Sequence, residues 1–186
     1  MNDLLLLWLP ILVAAVSVFV ASSLIHMVFK WHNSDYKPLA NEDAVLATIR
    51  AGSPTPGLYV LPHCADMKDL QKEEMQKKFR EGPVGFLTLK PPAAPAIGGA
   101  LLKWFILNLV VAIIAGAIAM HIYGPRADAN RAACHLVAVI SFLTYAGGSI
   151  QAGIWMGKPW VSVAKDQLDA AIYAVVSGLS FCWLWP

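Results

Sequence analysis

Residues 58–70, LYVLPHCADMKDL, bring together more residue types capable of chemistry than any other stretch of this sequence. His63 and Cys64 could belong to a metal site, or Cys64 could be an activated thiol at the start of a helix. A third interpretation is structural: a strand ends just before His63, and Asp66 caps the helix that follows. A metal ion needs three or four ligands, and the surrounding segment adds only His32. We therefore favour the structural corner.

A second group of candidate ligands lies at one depth in the apolar part of the chain and comprises His121, Cys134, His135 and Cys182. The two histidines could ligate haem b, or histidine and cysteine could bind a metal. Cys134 and His135 are adjacent on a predicted helix and point about 100° apart, so they do not readily share one ion. We expect no cofactor and no metal, with haem b or a metal kept as the alternative. A Cys134–Cys182 disulfide is a further alternative, because this side would be oxidising in a bacterial periplasm.

Four apolar segments position these residues. The sequence is 58% hydrophobic and only 14% charged, whereas soluble domains are about 25% charged. Of its 26 charged residues, 17 lie between Lys30 and Lys90. A helix that spans a bilayer needs about 20 apolar residues, and the pattern predicts four such helices, at about 4–29, 101–123, 133–155 and 168–185. The first is expected to be an uncleaved anchor, since its apolar run exceeds the roughly 7–15 residues of a signal peptide.

The predicted fold class is an α-helical integral membrane protein, with four transmembrane helices in a bundle and a small α+β insert between the first and second helices. Residues 1–29 hold the first helix, residues 30–97 form the insert, and residues 98–186 hold the other three helices. Within the insert, the patterns predict helices at about 42–51 and 66–81 and strands at about 57–62 and 84–90. A unit this small is near the lower limit for an independent core.

The distribution of basic residues predicts the orientation. Lysines flank the predicted membrane segments on the insert side, whereas two arginines flank them on the other side: Lys30, Lys37, Lys90, Lys103, Lys158 and Lys165 against Arg126 and Arg131. The positive-inside rule then places residues 30–97 in the cytoplasm and both termini outside, in the periplasm.

Small residues recur in the last three predicted helices at spacings that allow close helix packing. They are Ala112, Gly116, Gly147, Gly148, Ala170, Ala174 and Gly178. Ionisable residues lie near the ends of the helices, which disfavours a proton relay or an ion pump. His26 is at the insert-side end of the first helix. Asp166 and Asp169 fall in the predicted first turn of the last helix, where they complement the helix dipole, so we interpret them as structural.

Several segments spread along the chain form a recognisable set: KWHNSDYKPL, EDAVLATIRAG, PGLYVLPH, GPVGFLTL, GKPW and WLWP. Together they resemble an uncharacterised family of small four-span bacterial inner-membrane proteins. The resemblance covers nearly the whole chain. It implies the same four-span plan and a bacterial inner membrane, and it implies no activity.

The sequence favours a non-enzymatic membrane protein that acts as an accessory, assembly or scaffold subunit of a larger complex. One alternative is a component of a small-solute transporter or channel, formed as an oligomer. The other is a membrane redox protein that binds haem or a metal through His121 and His135. The expected partners are the lipid bilayer and other membrane proteins or a second copy of the chain. Nucleic acid is not expected, because no block rich in Lys and Arg is present.

Overall fold

The computed structural model describes residues 3–186, with side chains from Leu5 onward. The first two residues of the predicted segment 1–29 lie outside the described residues. The chain divides into two compact units: one contains the residues up to Tyr36 together with Ala96–Pro186, and the other is Lys37–Pro95. The helices and strands occur in the order α1 (Trp8–Ser23), α2 (Glu42–Ala51), β1 (Gly57–Leu61), α3 (Glu73–Glu81), β2 (Gly85–Leu89), α4 (Gly98–Tyr123), α5 (Asn130–Met156) and α6 (Trp160–Leu184).

Four helical segments among the described residues are long and apolar enough to cross a membrane. They are Leu5–Phe29, Gly98–Tyr123, Ala127–Met156 and Trp160–Leu184. The first contains α1 and continues as a π-helical turn, Leu24–Phe29. This confirms the prediction of a mostly helical protein with four helices of membrane-spanning length.

The four long helices form a ring in which α1 contacts α4, α4 contacts α5, α5 contacts α6, and α6 contacts α1. Phe181 of α6 is fully buried and fills the centre of the ring at the end where α1 begins. Gly116 of α4 lies against the phenyl ring of Phe181: a Cβ atom placed on Gly116 would be 2.7 Å from Phe181 Cε1. Gly178 lies against α5, with Ala138 Cβ 3.0 Å from the position of its missing Cβ. These two glycines therefore permit the close approach of helices that their spacing predicts.

Gly148 does not share this packing role. It is exposed, and nothing lies within 4 Å of a Cβ atom built on it or on Gly147. The prediction that Gly148 is a helix-packing residue is therefore wrong. The other small residues of that set, Ala112, Ala170 and Ala174, are buried.

The predicted start of the last helix and the prediction of one continuous helix over 66–81 are also wrong. The last helix begins at Trp160, not near residue 168, so Asp166 and Asp169 lie in its second and third turns. The physical reason is that Lys165 and Asp166 interrupt the apolar run but do not break a helix, whereas Pro159 stops it from extending backwards. The helix predicted over 66–81 is two elements, a 3-10 turn at Met67–Gln71 and α3. Lys72 is extended between them.

The unit Lys37–Pro95 has a two-stranded antiparallel sheet in which Gly57 pairs with Leu89 and Leu61 pairs with Gly85. Its helix α2 has the predicted bounds. None of the residues 37–95, all of which the structure describes, is buried. This unit therefore has no hydrophobic core of its own.

Candidate functional site

The corner at His63 and Cys64 has the geometry of the structural interpretation. His63 is exposed, and the Cys64 thiol donates to the carbonyl oxygen of Asp66 at 3.0 Å. The Asp66 carboxylate accepts a hydrogen bond from the backbone N–H of Lys68 at 2.9 Å, which caps the 3-10 turn that follows. The side chain of Asp66 thus satisfies a helix-terminal donor, as a capping residue does.

The candidate ligands of the apolar region do not form one site. His121 and His135 are both exposed. Cys134 and Cys182 instead contact each other as a disulfide, with Cα atoms 5.1 Å apart. Asn130 lies beside them and donates to the Cys182 carbonyl oxygen at 2.7 Å, which ties the start of α5 to the end of α6.

A different group of ionisable residues comes together at the opposite end of the ring, where α1 ends and α6 begins. The π-helical turn Leu24–Phe29 carries His26 and ends at Lys30, whose φ of 53° is in the left-handed region. The chain then reverses through a 3-10 turn at Trp31–Asp35. This reversal stacks the His32 ring on the His26 ring, with centroids 4.8 Å apart and planes inclined by 9°. A non-glycine residue at positive φ is an uncommon, strained conformation, and here it positions His32.

Asp169 of α6 completes this group, which we call the His–Asp cluster: His26, His32 and Asp169. The Nε2 atom of His32 lies 2.8 Å from Asp169 Oδ2, and the Nε2 atom of His26 lies 3.9 Å from the same oxygen. One ligand atom from each of the three residues lies within 4.8 Å of the others. Asp169 is only 5% exposed, and its Oδ1 has no hydrogen-bond partner.

The other nitrogen of each histidine is also held. His32 Nδ1 lies 2.7 Å from Asp35 Oδ2, and His26 Nδ1 lies 3.0 Å from the backbone carbonyl oxygen of Ser22. Lys165 donates to Asp35 at 2.7 Å and to the carbonyl oxygen of Trp31 at 2.9 Å. The hydrogen bond from Lys165, assisted by that from His32, lowers the pKa of Asp35 from its usual range to about 2. Asp35 is therefore a carboxylate at physiological pH.

A cavity of about 680 Å³ lies among the four long helices, and two residues of the His–Asp cluster, His26 and Asp169, line it. Its walls are largely apolar, and its ionisable residues come from the ends of α1 and α5 and the start of α6. The residues that line it include His26, Met27, Ile97, Leu101, Trp104, Leu107, Thr144, Tyr145, Gly148, Lys158, Asp166, Asp169 and Tyr173. Lys158 and Asp166 form an ion pair. A second cavity of about 360 Å³ adjoins the first and shares His26, Lys158 and Asp166 with it.

Three aromatic rings form the deeper wall of the cavity. Trp104, Tyr145 and Tyr173 contact one another with centroid separations of 5.4–6.0 Å. The Trp104 N–H donates to Ser22 Oγ at 2.8 Å, and the Tyr145 hydroxyl donates to Asn108 Oδ1 at 3.0 Å. These bonds hold two of the three rings in fixed orientations.

The sequence reasoning named His26, His32 and Asp169 separately and missed the His–Asp cluster. A signal was present in the sequence. The WHNSD segment places a histidine and an aspartate three residues apart, and the apolar helix directly before it carries another histidine near its end. The late start predicted for the last helix concealed the third member, because it left Asp169 in a first turn at the membrane edge.

No protein-family model, curated protein or solved structure matches this chain.

Proposed function

We propose that this protein binds a bilayer lipid, a molecule with a hydrogen-bonding head and an apolar tail, in the cavity between its four long helices. The observation that carries this proposal is the cavity itself. Its volume of about 680 Å³ is within the range of about 300–1,000 Å³ for pockets that bind small molecules.

The depth of the cavity supports a lipid as the occupant. From Ile97 to Leu107, both of which line it, the α4 helix rises by roughly 15 Å. This is about half of the hydrocarbon thickness of a bilayer. His26 and Lys158 lie at helix ends and Asp166 and Asp169 in the second and third turns of α6, whereas the part of the wall near Leu107 is apolar. The cavity is therefore more polar near the helix ends and more apolar further in, as a single bilayer leaflet is from its headgroups to its interior.

Gly148 allows a direct test of lipid binding. It lines the cavity, and no atom lies within 4 Å of a Cβ atom built on it. A Gly148→Leu side chain should occupy the cavity without a clash at its first carbon. Gly147 is the matched control, because it is adjacent, equally free at Cβ, and not among the residues that line the cavity.

The measurement is native mass spectrometry of the full-length protein released from detergent after incubation with bilayer lipids. We expect wild type and Gly147→Leu to retain one lipid per chain and Gly148→Leu to lose it. Equal retention by the two leucine variants would contradict the proposal.

An accessory or scaffold function, as the sequence favours, is a second proposal, supported by the unit Lys37–Pro95. Leu58, Val60 and Phe86 are exposed on one face of its sheet, and Val60 is paired with Phe86. Exposed apolar patches of this kind are typical of surfaces that bind another protein. We expect a Phe86→Ser variant to lose a partner that cross-links to the wild-type sheet in intact cells. A Thr88→Ser variant on the same face is the control. Unchanged cross-linking in Phe86→Ser would count against a partner at this face.

A further inference from the structure

We propose that the His–Asp cluster binds one divalent first-row transition metal ion, such as Zn²⁺, through His26 Nε2, His32 Nε2 and Asp169 Oδ2. This inference goes beyond lipid binding and does not rest on it. Two imidazoles and one carboxylate are a donor set that suits Zn²⁺, Fe²⁺ and related ions.

The hydrogen bonds of the cluster fix the form of both histidines. A carbonyl oxygen can only accept, so His26 Nδ1 must carry the proton that it shares with Ser22. His32 Nδ1 lies 2.7 Å from an oxygen of Asp35, whose other oxygen accepts a hydrogen bond from Lys165 at 2.7 Å, so His32 Nδ1 likewise donates. In the neutral rings, both Nε2 atoms then present a lone pair to Asp169. A histidine whose second nitrogen donates to a carboxylate or a backbone carbonyl is the usual arrangement around a protein-bound metal.

A cation is needed between these atoms. The lone pair of His32 Nε2 and the Asp169 oxygen would face each other at 2.8 Å and repel unless a proton or a metal ion lies between them. Asp169 is a buried carboxyl group with an unpaired Oδ1, and the ionised form of such a group is costly to bury without a partner. Lys165 is already engaged with Asp35, and Lys158 with Asp166.

A metal ion accounts for the cluster better than a proton does. A proton between His32 and Asp169 leaves unexplained why His26 Nε2 is directed at the same oxygen. Protonation of both histidines would place two positive rings in parallel stacking at 4.8 Å, where like charges repel. Tetrahedral coordination with bonds of about 2.0–2.1 Å puts ligand atoms roughly 3.3 Å apart. The separations from Asp169 Oδ2 are 2.8 and 3.9 Å, and all three ligand atoms lie within 4.8 Å of one another. Shifts of roughly one ångström, with a tilt of the two stacked rings that lets both in-plane lone pairs meet at one point, would complete the site.

Three protein ligands leave at least one coordination position open, as in catalytic zinc sites. His26 borders both cavities, so this open position is accessible to a small molecule. The structure therefore assigns the cluster to metal binding with room for a further ligand, and not to a closed structural site.

The test uses full-length protein in detergent, stripped with EDTA, loaded with Zn²⁺ and freed of excess metal by gel filtration. Mass spectrometry of the metal should give one Zn²⁺ per wild-type chain. We expect His32→Gln and Asp169→Asn to lower the affinity by about ten-fold or more, because each removes a ligand and even outer partners contribute 10–100-fold. His121→Gln and His135→Gln are the controls and should match wild type, since both residues are exposed and outside the cluster.

A second measurement requires only the wild-type protein, in case a cluster variant fails to fold. Co²⁺ added to the stripped protein should produce visible ligand-field absorption that one equivalent of Zn²⁺ abolishes. Absence of both retained Zn²⁺ and Co²⁺ absorption would overturn the proposal and assign the His32–Asp169 contact to a shared proton. Equal Zn²⁺ content in a folded His32→Gln variant would overturn it as well.

Discussion

Gly116 gives the sharpest test of the packing in the helix ring. A Gly116→Ala substitution would place Cβ 2.7 Å from Phe181 Cε1 and 2.9 Å from Phe181 Cζ. Carbon atoms in contact prefer a separation of about 3.5 Å or more, so the Phe181 ring would have to retreat by roughly 0.8 Å. Phe181 is fully buried, and Leu7 also lies 3.4 Å from the new atom. Any retreat of the Phe181 ring would therefore press it against the other buried side chains of its cluster.

The expected magnitude follows from a comparison with Gly147→Ala. Both substitutions gain about 1 kcal/mol from helix propensity, and this gain cancels between them. Overpacking a core costs about 1–3 kcal/mol, and nothing lies within 4 Å of a Cβ atom at Gly147. We therefore expect the free energy of unfolding of Gly116→Ala to be about 1–3 kcal/mol lower than that of Gly147→Ala.

The assay is reversible unfolding in mixed micelles, followed by near-ultraviolet circular dichroism. A Phe181→Leu substitution in the Gly116→Ala background provides an internal check. Because the smaller side chain removes the clash, the double variant should be more stable than the sum of the two single effects predicts. Equal stabilities of Gly116→Ala and Gly147→Ala would refute the packing argument, as would strict additivity in the double variant.

Three further predictions concern the cysteines, the orientation and the insert. Alkylation of unfolded protein should add one group before reduction, at Cys64, and three after it, because Cys134 and Cys182 are joined; three groups before reduction would exclude the disulfide. A membrane-impermeant thiol reagent applied to intact cells should leave Cys64 unmodified if residues 30–97 are cytoplasmic, and labelling there would reverse the orientation. Residues 37–95 expressed alone should show rapid amide exchange and no cooperative unfolding, since none of them is buried; a protected, cooperative fold would contradict this prediction.

Local patterns predict the elements of this protein well where one physical signal dominates. The helix Glu42–Ala51 has an acidic first turn and a glycine at its end, and its predicted bounds are those observed. The strand Gly57–Leu61 ends one residue earlier than predicted. The strand Gly85–Leu89 begins one residue later and ends one residue earlier than predicted. In these segments turn residues and apolar alternation coincide, so the boundary is fixed by the chain itself.

The same patterns fail where competing signals are of similar strength. Between Trp160 and Leu168, three consecutive polar residues, Lys165, Asp166 and Gln167, interrupt the apolar run, so hydropathy alone indicates a loop. These polar residues stay helical because tertiary contacts satisfy them. Lys165 reaches Asp35, and Gln167 donates to Ser149 Oγ at 2.8 Å. Partners more than ten residues away in sequence cannot be inferred from one helix, so the early start of α6 was not predictable.

The His–Asp cluster lies toward the end of the helix ring where the chain folds back after α1, and this position has a physical reason. A carboxylate at the midplane of a bilayer is very costly, whereas at a helix end the chain outside the membrane can fold back and supply partners. Here the left-handed turn at Lys30 returns the chain so that His32 reaches Asp169, and Lys165 fixes the returning segment through Asp35. Asp169 can therefore be buried between helices and still have two imidazoles directed at it. A buried carboxyl group with two imidazole nitrogens converging on it is costly to maintain for packing alone, which supports the proposal that this end of the helix ring binds a ligand.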